Sequence, residues 1–397
     1  MQIGVDANCW ANRRGYGRFT RELLHALLQA DRHNTYWFFL DADTKQQAAD
    51  IPASVKQVIV PTSQAAVEAA SASGRRSVRD LWAMGEAVRR HRPVLDLFYF
   101  PSVYTFYPLR IKAPVAVSIH DTIPERYPEL VFSGRVQRLM WTLKVRWAVH
   151  QATAILTVTE TSRQAIAGTF GVTVERVHVV PDAPSAVFRP IADARRVRPV
   201  LARHGIAPDE RYILYVGGIS PHKNLATLLE AYAMLVVDHG DGPALPRLVL
   251  VGDYERDVFL SSYQALQRKV EESGLAGRVI FTGFVSDDDL VCLYSAAELL
   301  VMPSFDEGFG LPAVEAMACG TPVVASRAGA LPEVVADAGA FFDPHSPAEL
   351  KVRLEELLRD DALRATYRMR GLRRAGDFSW ERSAAAASAV FEGMMRP

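Results

Sequence analysis

Short apolar runs alternate along the whole chain with longer segments in which apolar residues recur three or four positions apart. In the first half the runs are Gln2 to Ala7, Tyr36 to Leu40, Val55 to Val60, Leu95 to Phe100, Val115 to His120, Ala154 to Val158 and His178 to Val180. Several are rich in valine, isoleucine or aromatics, as strands are. Between them Phe19 to Gln29 and Val136 to His150 carry helical spacing. Strand and helix in strict alternation predict an α/β class fold built on a parallel sheet. The second half repeats the pattern. Arg211 to Gly218, Arg247 to Asp253, Arg278 to Thr282, Leu299 to Met302, Val323 to Ala325 and Ala340 to Phe342 read as strands, and about Leu225 to Val237 as a helix. The prolines of Pro181 to Pro190 (PDAPSAVFRP) interrupt any regular element, which predicts two Rossmann-like domains, residues 1–185 and 186–379. A last helix, beginning near Ala384 to Ala387, accounts for 380–397.

Chain length supports two domains, because 397 residues exceed the size at which one core stops growing. With 49% hydrophobic and 23% charged residues the composition is that of an ordinary globular protein, and no apolar run reaches the ~20 residues of a membrane span. The N-terminus MQIGVDANCW lacks the basic-then-apolar order of a secretory signal. Cys9, Cys292 and Cys319 are too few and too scattered for a disulfide framework or a metal site, which points to a reducing cytoplasm. Formal charge is zero, yet residues 1–185 carry a net +6 and the remainder a net −6. An excess of +7 lies between Arg75 and Arg146, which suits an acidic partner; nucleic acid is disfavoured because no recognition motif accompanies the charge.

The densest candidate chemistry is Val301 to Val334, VMPSFDEGFGLPAVEAMACGTPVVASRAGALPEV. A strand stops at Pro303-Ser304, and Gly308, Gly310 and Pro312 set up a helix whose first amides can approach an anion. Gly320 can end that helix. Glu307 lies in the loop and Glu315 eight residues later in the helix. A carboxylate at Glu315 can accept two hydrogen bonds from a ribose diol, Glu307 can do so from sugar hydroxyls, and the loop amides would face a diphosphate. Either acid alone is more simply a solvated side chain, but a merely structural turn needs neither.

Asp306-Glu307-Gly308-Phe309-Gly310-Leu311-Pro312 with Glu315 resembles the Glu-x7-Glu motif of retaining glycosyltransferases of the GT-B fold, group 1. The likeness continues through Gly320-Thr321-Pro322-Val323-Val324 and Leu331-Pro332-Glu333-Val334-Val335, and more weakly over nearly the whole chain. It implies two Rossmann-like domains facing each other across a cleft, with the C-terminal helix crossing back to the first. The implied activity is metal-independent, cofactor-free transfer of a sugar from a nucleoside diphosphate to a glycan or lipid-linked glycan. Donor contacts would come from Glu307, Gly308, Phe309, Gly310, Leu311 and Glu315 in the second domain.

The resemblance gives further positions a role. Gly15-Tyr16-Gly17, by itself a flexible turn after the first strand, matches a glycine loop that approaches the donor diphosphate, with Arg13, Arg14 and Arg18 adding charge nearby. His120-Asp121 ends the strand PVAVSIH, at the sheet edge where doubly wound folds bind ligands. The histidine could equally be a packed wall residue. The phrase HDTIPERYP resembles the polysaccharide-assembly branch, which favours His120 as a donor-sugar and acceptor contact, with Asp121 beside it, and leans towards GDP-mannose as donor.

Lys223, in Gly217-Gly218-Ile219-Ser220-Pro221-His222-Lys223-Asn224, can neutralise a leaving diphosphate. Most members of the family carry an arginine five residues earlier, where this chain has Gly218; Lys223 with loop amides, or Arg327, would then supply the charge. Gly283 and Phe284 match a segment whose backbone meets the nucleobase, and Glu333 either matches the family or caps a helix. Two other readings stay open, a sugar-nucleotide epimerase or phosphorylase of the same fold and a donor-binding scaffold subunit whose chemistry lapsed with the arginine.

Arg135 to His150 is amphipathic, with Val136, Leu139, Met140, Leu143 and Trp147 on one stripe and Arg138, Trp141 and Lys144 beside it. The reading the pattern favours is a helix packing that stripe on its own domain; the other is peripheral contact with an anionic membrane, at the inner face of the cell membrane.

Overall fold

The computed structural model describes residues 1–12, 15–48, 50–64, 77–239, 245–254 and 263–395. The chain divides into two compact units, Met1–Asp182 with Ser379–Pro397, and Ala183–Phe378.

Among the described residues the first unit holds a seven-stranded sheet: β1 (Gln2–Asp6), β2 (Thr35–Asp41), β3 (Lys56–Val60), β4 (Leu97–Phe100), β5 (Val115–Ser118), β6 (Ala154–Thr157) and β7 (Val177–Val179). Their spatial order is β3-β2-β1-β4-β5-β6-β7, and every pairing is parallel. β4, β5 and β6 are buried at every position, which is why they read as continuous apolar runs instead of alternating ones. Strand order reverses between β1 and β4, so the loops leaving those two strands diverge and open a crevice at the carboxyl ends.

The helix after β1 runs Gly15–Ala30, four residues longer at its start than the apolar spacing predicts. Gly15-Tyr16-Gly17 is therefore the first helical turn and not a flexible loop. Gly17 is required there by close approach: a Cβ would lie 2.1 Å from the Asn12 carbonyl oxygen. Glycine is a poor helix former, and this contact overrides its propensity. Arg21, one turn on, donates to the carbonyls of Trp10 and Asn12 at 2.6 Å and pins the same loop. The last helix, Trp380–Met394, belongs to this unit. Trp380 meets Phe19, Phe391 meets Tyr99, and the Ser383 hydroxyl donates to the Pro181 carbonyl at 2.6 Å.

The helix Arg135–Gln151 packs the face opposite to the one expected. Trp141, Val145, Ala148 and Val149 are buried, whereas Val136, Leu139, Met140, Leu143 and Trp147 are each more than half exposed. Both faces of this helix are apolar enough to pack, and the smaller side chains of the buried face fit against the sheet.

The second unit holds six strands among the described residues, all parallel: β8 (Tyr212–Val216), β9 (Arg247–Val251), β10 (Val279–Gly283), β11 (Leu299–Met302), β12 (Val323–Ser326) and β13 (Gly339–Phe342). The order β10-β9-β8-β11-β12-β13 again reverses, here between β8 and β11. Tyr215, Leu228, Leu250, Val301 and Val324 belong to one buried core built around those central strands.

Candidate functional site

The second unit's switch point is crossed by two loops that the chain keeps far apart. One leaves β8 and contains Gly217 to Asn224; the other leaves β11 and contains Pro303 to Gly310. They are stitched together at successive positions. The Phe305 amide donates to the His222 carbonyl at 2.9 Å, and Asn224 Nδ2 donates to the carbonyls of Pro303 at 3.0 Å and Pro344 at 2.8 Å. Between them Lys223 Nζ reaches both oxygens of Glu307, at 2.7 and 2.9 Å. Asn224 sits at φ +56°, a left-handed conformation that asparagine tolerates, and this turns its side chain back under the loop.

Glu307 is 8% exposed. Burial opposes its ionisation, but Lys223, with the Ser304 hydroxyl donating at 2.6 Å, outweighs burial and holds the carboxyl below its ordinary value. The pair is thus a charge-neutral unit. Lysine has three N–H donors and Glu307 takes two, so one remains for a further acceptor. Beside it the His222 imidazole is lowered to about 4, first by burial and then by the Lys223 charge, and is neutral at pH 7.

Gly310 caps the helix Leu311–Ala318 at φ +89°, and no side chain caps the first amides. Pro312 has no N–H and the Ala313 amide donates to the Gly310 carbonyl at 2.9 Å, so of the first three helical positions Leu311 keeps an amide to offer, next to the Glu307 loop. Phe309 is turned inward against Phe378 at 5.3 Å, so at this position only the backbone faces the loop. Glu315 lies within the helix at 2% exposure, and its Oε2 accepts the Tyr294 hydroxyl at 3.0 Å. Leu311 is the first helical residue. Gly283 ends β10 at φ +75° and Phe284 beyond it is half exposed, both at the carboxyl edge but on the strand farthest from β11 on that side. Gly218 has neither a left-handed φ nor a crowded Cβ position: the nearest atom would be Ser220 Oγ at 4.0 Å. Arg327 follows β12 with an exposed side chain, and Glu333 lies in the first turn of the short helix Leu331–Val335.

In the first unit His120 follows β5. One imidazole nitrogen bonds the Pro101 carbonyl, the Phe19 ring stands 4.6 Å away edge-on, and Nε2 is buried with no partner among the described residues. Burial lowers this imidazole to about 4. Asp121 Oδ1 accepts the Ile123 amide at 3.0 Å, a turn that leads into the short helix Ile123–Arg126. Gly15 is exposed at the start of its helix and Gly17 is buried; Arg13 and Arg14 lie outside the described residues. Asp41-Ala42-Asp43 has the spacing of an Asp-x-Asp metal motif, but Asp41 is buried and caps a helix through the Thr44 amide at 2.6 Å. The three cysteines are buried thiols.

Sequence reasoning named Lys223 and Glu307 separately and missed that they are partners. It also missed Ser304, Asn224 and Tyr294. A signal existed for the first two, since each flanks a named residue in its loop; none existed for Tyr294, which arrives from another helix.

Two parallel doubly wound sheets, each in its own compact unit, place the chain in the class of proteins built from paired Rossmann-like domains. Residues 13–183 match the model of Glycosyltransferase Family 4 and residues 199–374 that of Glycosyl transferases group 1. An O-antigen chain mannosyltransferase B from Escherichia coli is 36% identical over 76% of this chain and 74% of its own length. A serotype-specific mannosyltransferase WbdA, also from Escherichia coli, is 32% identical over 70% of this chain, which spans only 33% of that larger protein. A sucrose-phosphate synthase from Thermosynechococcus elongatus has the same fold, with a TM-score of 0.74 at 22% identity over 99% of this chain and 98% of its own. The chain belongs to the group 1 glycosyltransferases and has the GT-B fold.

Proposed function

We propose that this glycosyltransferase moves a mannosyl group from GDP-mannose to a glycan or lipid-linked glycan, with retention of anomeric configuration and without a metal. The observation that carries the reading is the Lys223–Glu307–Ser304 cluster beside the uncapped helix start at Gly310. It combines one cation with a spare donor, the Leu311 amide at a helix start and a carboxylate, which suits a diphosphate bonded to a polyhydroxy sugar. The mannosyl assignment is supported by the names of the two Escherichia coli relatives.

In this reading Lys223 and the amides of Gly308 to Leu311 receive the diphosphate, Glu307 the sugar hydroxyls and Glu315 the ribose. Gly283 and Phe284 meet the base through their backbone. In the first unit His120 touches the acceptor, with Asp121 holding its loop. The bond from the anomeric carbon to the diphosphate oxygen breaks as the bond to the acceptor oxygen forms on the same face. The acceptor proton passes to the departing phosphate oxygen, so no side chain need act as base. Charge on that oxygen is met by Lys223 and the amides, the role electrostatic preorganisation plays elsewhere. The site of action is the cytoplasm, at the inner face of the cell membrane.

Calorimetric titration with GDP and UDP, followed by hydrolysis and transfer assays over a panel of their sugars, tests this. Selective binding of GDP with turnover of GDP-mannose is the expected result, and Glu307→Ala should lower transfer on the order of 10²-fold. Failure of both nucleotides to bind at millimolar concentration would make the chain a scaffold. Equal transfer by wild type and Glu307→Ala would remove Glu307 from the site.

A further inference from the structure

The helix Arg135–Gln151 presents to solvent a stripe that a globular surface has no reason to keep. Val136, Leu139, Met140, Leu143 and Trp147 are 69%, 58%, 61%, 55% and 55% exposed. At 3.6 residues per turn they form one continuous band along the whole helix, opposite the buried face of Trp141, Val145, Ala148 and Val149. Scattered apolar residues on a surface are ordinary; a contiguous band of five is a contact face.

The charge beside the band is of one sign. Arg135 and Arg146 lie along one flank and are exposed, Arg138 is exposed further round towards the buried face, and the helix contains no acidic residue. Lys144, on the other flank, is turned inward onto the Trp141 ring at 4.4 Å and the Tyr104 carbonyl at 3.2 Å. Arg138, Thr142 and Arg146, one turn apart from each other, wall a cavity of about 190 Å³ closed behind by Glu125 and Phe170. Glu125 accepts the Trp141 indole N–H at 2.7 Å, and burial raises its carboxyl to about 7, so at neutral pH it offsets the two arginines only in part.

We propose that this face seats the protein on an anionic phospholipid bilayer. The apolar band enters the headgroup and acyl boundary, Trp147 and Met140 lie at that boundary, and the arginine flank takes lipid phosphates, one of them in the cavity between Arg138 and Arg146. Among the described residues no helix is long and apolar enough to cross a membrane, so the helix lies on the surface. A second copy of the chain is the poorer occupant. A two-fold contact sets a patch against itself, and this patch would bring arginines together with no acid on the helix to meet them.

The inference does not depend on the donor assignment, because binding is read without any sugar nucleotide. The full chain is sedimented with vesicles of phosphatidylcholine alone or mixed equally with phosphatidylglycerol. Binding to the mixed vesicles, weakened by salt and at least ~10-fold poorer on phosphatidylcholine alone, is expected. Arg138→Gln with Arg146→Gln should weaken it about 30-fold, at roughly one basic contact's worth per arginine. Leu143→Asp with Trp147→Asp should abolish it while leaving the thermal unfolding curve in place, since both side chains point to solvent. No binding to anionic vesicles, or equal binding by wild type and the Leu143→Asp, Trp147→Asp variant, overturns the proposal. So does a dimer in gel filtration that the same variant dissociates.

Discussion

The Lys223–Glu307 pair can be taken apart in a way that separates its electrostatics from its packing. Lys223→Met keeps volume and removes the charge, and it leaves a carboxylate whose side chain is only 10% exposed with Ser304 as its remaining donor. Breaking a buried pair from one side costs about 3–5 kcal/mol, because the surviving charge is unsolvated. Glu307→Gln is milder. Its amide oxygen can still accept from Lys223 and Ser304, and the lysine side chain is 19% exposed and can find water, so about 1–3 kcal/mol is expected. The double variant buries no charge at all and should be no worse than the milder single one. A coupling energy of at least about 3 kcal/mol follows, against additivity within ~0.5 kcal/mol for independent sites.

The assay has a built-in control. All six tryptophans, Trp10, Trp37, Trp82, Trp141, Trp147 and Trp380, belong to the first unit, so indole fluorescence reports that unit while far-ultraviolet circular dichroism reports both. Urea unfolding followed by both probes should show the loss in the dichroism transition. The pH dependence fixes the sign. In the wild type the Glu307 carboxyl is held low, so its contribution is present above the ordinary value of about 4.5 and is lost as pH falls through the folded one. In Lys223→Met burial is left in command and the carboxyl rises above 4.5. The native state then holds a proton the unfolded chain has released, and stability is lost as pH rises. The deficit should therefore shrink between pH 8 and pH 5. An additive cycle, or a deficit independent of pH, would refute the buried pair.

Gly218→Arg should fold as the wild type does, because neither φ nor the Cβ position forbids a side chain; added charge near the diphosphate should tighten GDP binding about tenfold by calorimetry, and a lowered melting temperature would show the loop is closed to it. Asn224→Ala removes both donors from Nδ2 and the acceptor that takes the Thr227 hydroxyl at 2.8 Å, at a left-handed φ; a loss of about 3 kcal/mol in urea is expected, and less than 1 would mean the two loops hold without it. Glu125 is raised to about 7, so its native state keeps a proton released by the unfolded chain between about pH 4.5 and 7, and the wild type loses stability as pH rises through that window. Glu125→Gln, which can still accept from Trp141, should gain on it by up to about 3 kcal/mol between pH 5 and pH 8; parallel pH curves would mean the carboxyl is solvated.

The strands were legible because they are buried on both faces. β8 and β11, with every residue buried, cannot read as anything but apolar runs, and Leu299–Met302 is bounded in the sequence by the proline that bounds it in the structure. The helix entry at Gly310-Leu311-Pro312 was legible for the same local reason. What escaped was whatever depends on a partner distant in sequence. Lys223 and Glu307 are 84 residues apart, and nothing in either loop says that its charge is answered by the other. Gly17 reads as a turn until the Asn12 carbonyl is seen where its Cβ would be. The helix Arg135–Gln151 has two packable faces, and periodicity alone cannot say which one the sheet accepts.

The carboxyl edges of the two sheets use opposite electrostatics, and the difference bears on what each can do. In the second unit an ionised pair is held ready, with a lysine N–H to spare, which suits a ligand that arrives charged. In the first, burial keeps His120 neutral down to about pH 4, and the Pro101 carbonyl can only accept, so it fixes the proton on the nitrogen it meets. The other nitrogen, Nε2, then carries a lone pair, buried and without a partner among the described residues. Leaving such an acceptor unpaired costs about 1–3 kcal/mol, a loss that a hydroxyl donor would recover on binding. A neutral imidazole in this tautomer can orient a sugar hydroxyl but carries no proton to give at Nε2. In this form His120 is a hydrogen-bond acceptor for a hydroxyl and not a proton donor at Nε2.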